Sequence, residues 1–466
     1  VTPGRPGSAG GRIPADVIER VLQATDLVEL VASYLPLRAA GRTHKALCPF
    51  HHEKTPSFIV NPERQIFHCF GCGEGGNALG FLMRREGFTF PEAVRALADR
   101  AGIALPARRE RGEDEGRLLL FEAQRVAAEQ FQANLRGPDG TAARQALAAR
   151  GVDEATAERF GLGLALPAWD GLAKALARKG IPATAAERAG LLVARPSGTG
   201  HYDRFRNRLM VPVQDVRGRV VAFSGRALDG AEAKYINSPD TPIYRKGEHL
   251  FGLARARQAI QRQRHAILVE GAFDCIQVHR AGFEHAVASL GTALTPEQVT
   301  LLRRYAERVV LAFDPDRPGL EAALRGFEAL LAADVGAEAI RLPEGLDPDL
   351  LVRRRGPEAL SALLRSPLDL VDLAALRGGH EAEAASDGGD REGREPAARA
   401  SGGRRIEERV ALSRRLVPVL ARLPEGTRRA TYVGKLAERL GVAEAAVLAE
   451  LRRAGAAGRP GRPGPA

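Results

Sequence analysis

Two pairs of soft donors constrain this chain more than any other feature. Cys48-Pro49-Phe50-His51 and Cys69-Phe70-Gly71-Cys72 each set two ligand-type side chains three positions apart, so both members of a pair can turn toward one ion. Between them lie two short apolar runs, PSFIV and QIFHC, joined by the turn residues Asn61, Pro62, Glu63 and Arg64. The pattern predicts two knuckles embracing a β-hairpin. Its Cys3His set suits one structural, tetrahedral Zn²⁺ with no open position. The glycines Gly71, Gly73, Gly75 and Gly76 supply the tight backbone that thiolate knuckles need. His51 mirrors the spacing of Cys69 and Cys72; His52 and His68 are the alternatives for the fourth ligand, and His44 is expected at the surface. Four cysteines in 466 residues cannot form a disulfide scaffold, and the fourth, Cys275, is expected in the core.

Charge and apolar content narrow the class further. Lys plus Arg exceed Asp plus Glu by 68 to 57, a formal charge of +11 that favours polyanionic partners. Only seven of the basic residues are Lys, and Arg, Ala and Gly dominate the tails, so part of the excess is compositional. The N-terminal VTPGRPGSAGG has no apolar stretch after it, and no apolar run of 18 or more residues occurs. Membrane span and secretory signal are therefore not expected, and a cytoplasmic location is.

Composition and periodicity divide the chain into a multi-domain α/β protein. Residues 1–12 read as a disordered tail, 13–106 as the zinc domain and 107–116 as a polar linker. From 117 to 377, helical patterns alternate with β-branched runs (HAILV, AVASL, VVLAF, AEAIRL), as in a parallel α/β sheet. Residues 117–260 form the first part of this core and 261–377 the second. A Gly/Ala-rich linker (378–404), a small helical bundle (405–454) and a second disordered tail (455–466) follow.

Ligands of α/β sheets bind beyond the carboxyl ends of the strands. Acidic residues stand at three such ends: Glu270 after HAILV, Asp314 and Asp316 after VVLAF, and Asp347 and Asp349 after AEAIRL. Asp274, one helical turn past Glu270, faces the same crevice on this reading. Clustered carboxylates repel unless a divalent cation neutralises them, and oxygen donors select Mg²⁺ or Mn²⁺. A metal-dependent phosphoryl-transfer site, with two ions, is expected. Upstream, YDRFRNRLMVPVQDVRGRVVAFSGRAL predicts two apolar strands around a DVRG turn with an Arg-rich approach.

These segments carry a resemblance. CPFHHEKTPSF followed by FHCFGCGEGGNALGFLM is similar to the zinc-ribbon domain of bacterial DNA primases. VEGAFDCIQVHRAGFEHAVASLGTALT, LAFDPDRPGLEAA and LPEGLDPD resemble the Toprim domain shared by bacterial primases, topoisomerases and some nucleases, with the primases nearest. The resemblance implies RNA primer synthesis on single-stranded DNA from ribonucleoside triphosphates. It implies catalytic and metal-binding roles for Glu270, Asp314 and Asp316, supported by Asp274, Asp347 and Asp349. It places Arg204, Arg206, Arg226, Lys234, Tyr235, Asn237 and Lys246 on template or nucleotide phosphates; for Arg217 and Arg219 a solvated strand face is favoured. Phe58, Phe67 and Phe70, with Lys54 and Arg64, have the chemistry for single-strand contact, although Phe58 and Phe67 are at least as suited to the core of so small a module. The chain departs from the family pattern at Ala272, Pro315 and Pro318, and Pro315 removes a backbone N–H from the metal loop.

Two other classes share parts of this pattern. A Toprim topoisomerase or nuclease would need a strand-attacking tyrosine or a water-activating base beside the acids. A recombination mediator would combine zinc and Toprim folds without needing the acids. On the primase reading a monomer is expected, and residues 406–454 resemble the end of the polymerase domain, so a helicase-docking domain is expected to be missing.

Overall fold

The structure, a computed structural model, describes residues 15–103, 111–196, 198–228, 234–291, 293–376 and 400–457. The chain divides into two compact units, Val1–Leu119 and Leu120–Ala466.

The first unit is built around one antiparallel sheet of five strands in the order β1 (Arg38–Ala40), β2 (Thr43–Ala46), β3 (Phe58–Asn61), β4 (Ile66–Cys69) and β5 (Gly75–Gly76). β3 and β4 are the hairpin expected between the knuckles, with Phe58 opposite Cys69 and Asn61 opposite Ile66. Alternation along β3 buries Phe58 and Val60 and leaves Ile59 and Asn61 partly covered. Phe58 and Phe67 stack at 5.2 Å and meet Phe50 and Phe81, so both hairpin phenylalanines belong to the core. Phe70 is 72% exposed. The helices Leu27–Ala32, Ala78–Glu86 and Phe90–Arg100 begin at Asp26, Asn77 and Thr89. Asp26 and Asn77 accept N–H groups of the first turn, and Glu92 reaches back to the N–H of Thr89.

Among the described residues, the second unit holds three sheets. β6 (Gly163–Ala165), β9 (Arg208–Gln214), β10 (Val220–Ala227) and β11 (Tyr235–Asn237) form an antiparallel sheet in the order β11-β10-β9-β6. The expected hairpin is β9–β10: Asp215 accepts the N–H groups of Arg217 and Arg219, and Gly218 takes φ +83°. Arg219 lies over the Phe121 ring at 3.9 Å, pairs with Asp215 and is not among the groups that line the acidic crevice described below. β7 (Leu192–Ala194) and β8 (His201–Asp203) form a separate pair.

The remaining sheet is fully parallel, ordered β13 (Ala286–Ala288), β12 (His265–Val269), β14 (Arg308–Leu311), β15 (Gly336–Ala339). It is buried on both faces, as parallel sheets are. Ala266, Leu268, Val309 and Leu311 face one apolar cluster, while Ile267, Val269, Val310 and Ala312 face the other. The first cluster continues into the C-terminal helices Ala400–Arg422, Thr427–Leu440 and Glu444–Ala457 through Leu416, Leu420, Leu436 and Leu451. The expected small bundle is therefore three helices sharing the core of the parallel sheet. Cys275 is fully buried in the second cluster.

Two boundaries differ from expectation. Residues 104–110 lie outside the described residues, but the rest of the supposed linker, from Arg111, opens a helix that runs to Arg136. From sequence alone, a polar, charged run reads alike as loop or helix. Likewise Ala400–Arg404 and the residues to Ala457 are helical, whereas the remainder of the 378–404 and 455–466 segments, like residues 1–14, lies outside the described residues.

Candidate active site and zinc centre

In the first unit, Cys48, His51, Cys69 and Cys72 come together with their donor atoms all within 4.8 Å of one another. Cys48 Sγ and Cys72 Sγ stand 3.8 Å apart, far beyond a disulfide. Thiolates about 2.3 Å from a tetrahedral zinc would be separated by about this distance. Burial pushes the Cys48 thiol up to about 12 in the absence of a cation, so a thiolate here needs a positive partner. His51 supplies the fourth donor, its Nδ1 lying 3.8 Å from Cys69 Sγ. The alternatives are elsewhere: His52 is exposed, and the His68 ring packs edge-on against Phe70.

In the second unit, parallel pairing of β12, β14 and β15 delivers their carboxyl ends to one edge. Glu270 follows β12 directly, and its Oε1 accepts the backbone N–H of Asp314 at 3.1 Å. Asp314 precedes the helix Arg317–Ala332, whose Gly319 packs so closely that a Cβ there would stand 2.3 Å from the Asp314 carbonyl oxygen. Pro318 sits in the first turn of that helix, where no N–H is missed. Ala272 is buried at the start of the helix Ala272–Arg280.

The acids repel. Burial, then Glu270, Asp347 and Asp316, pushes the Asp314 carboxyl up to about 6, and its Oδ1 is buried with no hydrogen-bond partner. Burial, opposed by the Asp314 N–H, also raises Glu270. Asp274 accepts the N–H groups of Gly271 (3.0 Å) and Asp349 (3.3 Å); burial, then Asp347 and Asp314, pushes it up to about 8. Asp349 is 5% exposed, 3.6 Å from Arg353 and 3.8 Å from Arg150, and burial raises it as well. An orphaned carboxylate oxygen among mutually repelling acids fits oxygen-ligated divalent cations. Among the described residues only the Cys3His set is tight enough to put three or more donors within 4.8 Å of each other, so the carboxylates are gathered more loosely.

Glu270, Asp274, Asp314, Asp347 and Asp349 line one crevice of about 950 Å³. Asp316 does not; it is exposed and caps the next helix by accepting the Gly319 N–H at 2.8 Å. Asp347 also caps, accepting the Leu350 N–H at 2.6 Å, while still lining the crevice. The same crevice is lined by Arg226, Lys234, Tyr235, Asn237 and Lys246, and also by Arg150, Arg353 and Phe273. Arg150 and Arg226 each lie 5.5 Å from the Phe273 ring, and Arg226 also donates to the Tyr235 hydroxyl. Burial, then Arg226, lowers the Arg150 guanidinium from its ordinary range. Arg150 ends the helix Thr141–Ala149, a position at which nothing local in the sequence marks an active-site cation.

Arg204 and Arg206 are not among the groups that line the crevice. Arg206 stacks over Trp169 at 4.3 Å and Tyr202 at 5.2 Å. Trp169 is 59% exposed and was not singled out by sequence reasoning; an isolated Trp beside a helix start gives no signal until folding sets it against β8.

Family models match along the chain in order. A CHC2 zinc finger covers residues 13–113, the N-terminal domain of the DNA primase catalytic core 130–257, a Toprim domain 264–341 and a DnaB-helicase binding domain of primase 401–445. The DNA primase of Myxococcus xanthus is 40% identical over 445 residues, 94% of this chain and 70% of that one. The chain belongs to the bacterial DNA primase family. Among solved primases, the zinc-binding and RNA polymerase domains of the Aquifex aeolicus enzyme superpose with a TM-score of 0.59 at 31% identity, over 93% of this chain and 99% of that one. A DnaG primase catalytic domain bound to ssDNA gives a TM-score of 0.59 at 32% identity, over 72% and 99%. This primase-family chain spans about three fifths of the length of several curated relatives that it matches.

The expectation that a helicase-docking domain is missing is overturned. The helicase-binding match falls on the helices Ala400–Arg422 and Thr427–Leu440, which sequence reasoning gave to the end of the polymerase domain. Leu/Val periodicity identifies the buried stripe of such helices and carries no information about the partner of the other face. In the described residues no helix is long and apolar enough to cross a membrane.

Proposed function

We propose that this chain synthesises short RNA primers on single-stranded DNA, joining ribonucleoside triphosphates in the cytoplasm. The observation that carries this reading is the crevice itself, about 950 Å³, whose lining combines strand-end carboxylates with Arg226, Lys234 and Lys246 and with Arg150 and Arg353 beside Asp349. Divalent cations held by Glu270 and Asp314, with Asp347 and Asp349 beside them and Asp316 at the rim, would supply charge neutralisation at the reacting phosphate and lower the pKa of a 3′-hydroxyl.

The protein groups do the rest. Arg150 and Arg226, spread over Phe273, present guanidinium forks to triphosphate oxygens, and Lys234 and Lys246 add point charges. The hydrogen bond from the Asp314 N–H to Glu270 holds the two acidic loops in register, so the incoming phosphate meets a preformed edge. Asp274, its carboxyl pushed up by burial, braces the Gly271 and Asp349 backbones. The Arg206–Trp169–Tyr202 stack offers an aromatic face and a cation to single-stranded template, with Arg204 beside it. In the first unit, exposed Phe70 and Lys54 near the zinc knuckles, and Arg64 in the hairpin turn, offer the same chemistry. The helicase-binding match supports a replicative helicase as partner, and within it Ile406 and Val442 are exposed apolar groups that such a partner could cover.

Incubation of the purified chain with ribonucleotides, Mg²⁺ and circular single-stranded DNA tests the reading. It predicts short RNA products dependent on template and cation. Strand cleavage or relaxation without RNA synthesis would instead favour a Toprim nuclease or topoisomerase.

A further inference from the structure

The donor pattern that defines the zinc centre leaves out the acid nearest to it. Glu53 lies two positions past His51, and its side chain is 11% exposed beside a His51 side chain that is 28% exposed. Its Oε1 accepts the N–H of Cys48 at 2.7 Å and of Ser57 at 3.0 Å, so the carboxylate is anchored at both ends of the first knuckle loop. Its Oε2 accepts the Ser57 hydroxyl and lies 3.3 Å from Nε2 of His51. The other ring nitrogen, Nδ1, faces the cysteines at 3.8 Å from Cys69 Sγ.

We propose that Glu53 is the positioning residue of the zinc centre, fixing His51 in the tautomer with Nε2 protonated so that the Nδ1 lone pair is presented to the metal. A neutral imidazole carries one N–H. With that proton on Nε2, the ring donates to Glu53 and leaves Nδ1 open to the cation. With the proton on Nδ1, a lone pair would face the carboxylate and an N–H would occupy the metal position. Both faces of the ring therefore select the same form. A second observation supports a built arrangement. The backbone of Gly71 closes over the pair so tightly that a Cβ there would stand 2.6 Å from His51 Nε2 and 2.8 Å from Ser57 Oγ. The second knuckle thus seals the His51–Glu53–Ser57 group, and Ser57 Oγ reaches Cys69 Sγ at 3.1 Å, linking the group to a second ligand. Partners of this kind raise ligand basicity, and their loss typically weakens metal binding by about 10–100-fold.

The tautomer can be read in the unaltered full chain, loaded with zinc and labelled with ¹⁵N-histidine, from long-range ¹H–¹⁵N correlations. The expected result is His51 with a protonated Nε2 and a metal-shifted Nδ1; a protonated Nδ1 with metal-shifted Nε2 overturns the proposal. Competition against a chromogenic chelator then compares variants. Glu53→Gln, which keeps an oxygen for the Cys48 and Ser57 N–H groups but only by turning its amide donor toward His51, is expected to bind zinc about 10–100-fold more weakly. Ser57→Ala, which leaves the carboxylate against His51, is expected to retain the wild-type tautomer. Zinc affinity in Glu53→Gln equal to that of the unaltered chain would also overturn the assignment.

Discussion

The backbone N–H of Asp314 donates to Oε1 of Glu270 at 3.1 Å, tying the loop after β14 to the residue that follows β12. One carboxylate therefore serves both as a charge in the crevice and as the clamp that holds its neighbour's loop. Gly319 completes the clamp from the other side, because its α-carbon rests on the Asp314 carbonyl. Gly319→Ala would force a methyl group to within 2.3 Å of that oxygen. We expect this substitution to reduce primer synthesis at least about 10-fold by a displacement of the order of 1 Å at the acids, with Mg²⁺ affinity falling in parallel. Wild-type activity and Mg²⁺ dependence in Gly319→Ala would show that the loop tolerates the displacement.

The acidic cluster also sets a pH dependence. Asp314, pushed up to about 6, and Asp274, pushed up to about 8, keep protons in the folded protein that they would lose in the unfolded chain, where an aspartate titrates at 3.8. Between roughly pH 4 and pH 8 these two groups thus hold more protons in the folded than in the unfolded state, and through them rising pH removes stability from the cation-free protein. A divalent cation offsets that loss only once the carboxylates are ionised. Saturating Mg²⁺ is expected to raise Tm by more at pH 8 than at pH 6, measured by calorimetry. An equal shift at the two pH values would place the cation away from these groups.

Buried histidines act in the opposite sense. His285 is 3% exposed, neither ring nitrogen has a hydrogen-bond partner, and burial, then His265, pushes it down to about 3. The unfolded chain takes up a proton near pH 6.5 that the folded protein refuses, so stability falls as pH drops below that value, by about 1.4 kcal/mol per pH unit for a single site. Replacing His285 by Phe is expected to flatten the acid limb of the Tm-versus-pH curve below pH 6. An unchanged limb would mean that His285 is not the group responsible.

Trp169 is the sole tryptophan of the sequence and stands in the cation–aromatic stack with Arg206 and Tyr202. Single-stranded DNA binding is expected to quench its fluorescence. Trp169→Ala should weaken that binding by about 1–3 kcal/mol, the usual worth of one base stacked on an aromatic ring. Emission that does not respond to single-stranded DNA would remove the stack from the template path.

What the sequence made readable follows from which forces are local. The Cys48, His51, Cys69 and Cys72 spacing declares itself because thiolate knuckles dictate both ligand type and interval, and the structure brings these four together. Glu270, Asp314, Asp347 and Asp349 were legible because parallel strands must end at the same edge. Asp316 was placed among the catalytic acids, yet it caps a helix and lies outside the groups lining the crevice; an Asp before a helix reads the same in either role. Arg150 and Trp169 were invisible, since their importance comes from packing across elements distant in sequence. The polar run 107–116 reads as a linker, although from Arg111 the chain is helical.

The central claim is that the strand-end carboxylates carry out nucleotide joining while the cationic and aromatic groups hold the template. It is tested most directly by primer synthesis and single-stranded DNA binding measured side by side in Glu270→Gln. The amide oxygen can still accept the Asp314 N–H, so the loop stays clamped while the charge is lost. The account predicts that primer synthesis falls by at least about 100-fold, roughly 2.7 kcal/mol in the barrier, with template affinity within a few-fold of the unaltered chain. Primer synthesis at the wild-type rate in this variant would contradict the account.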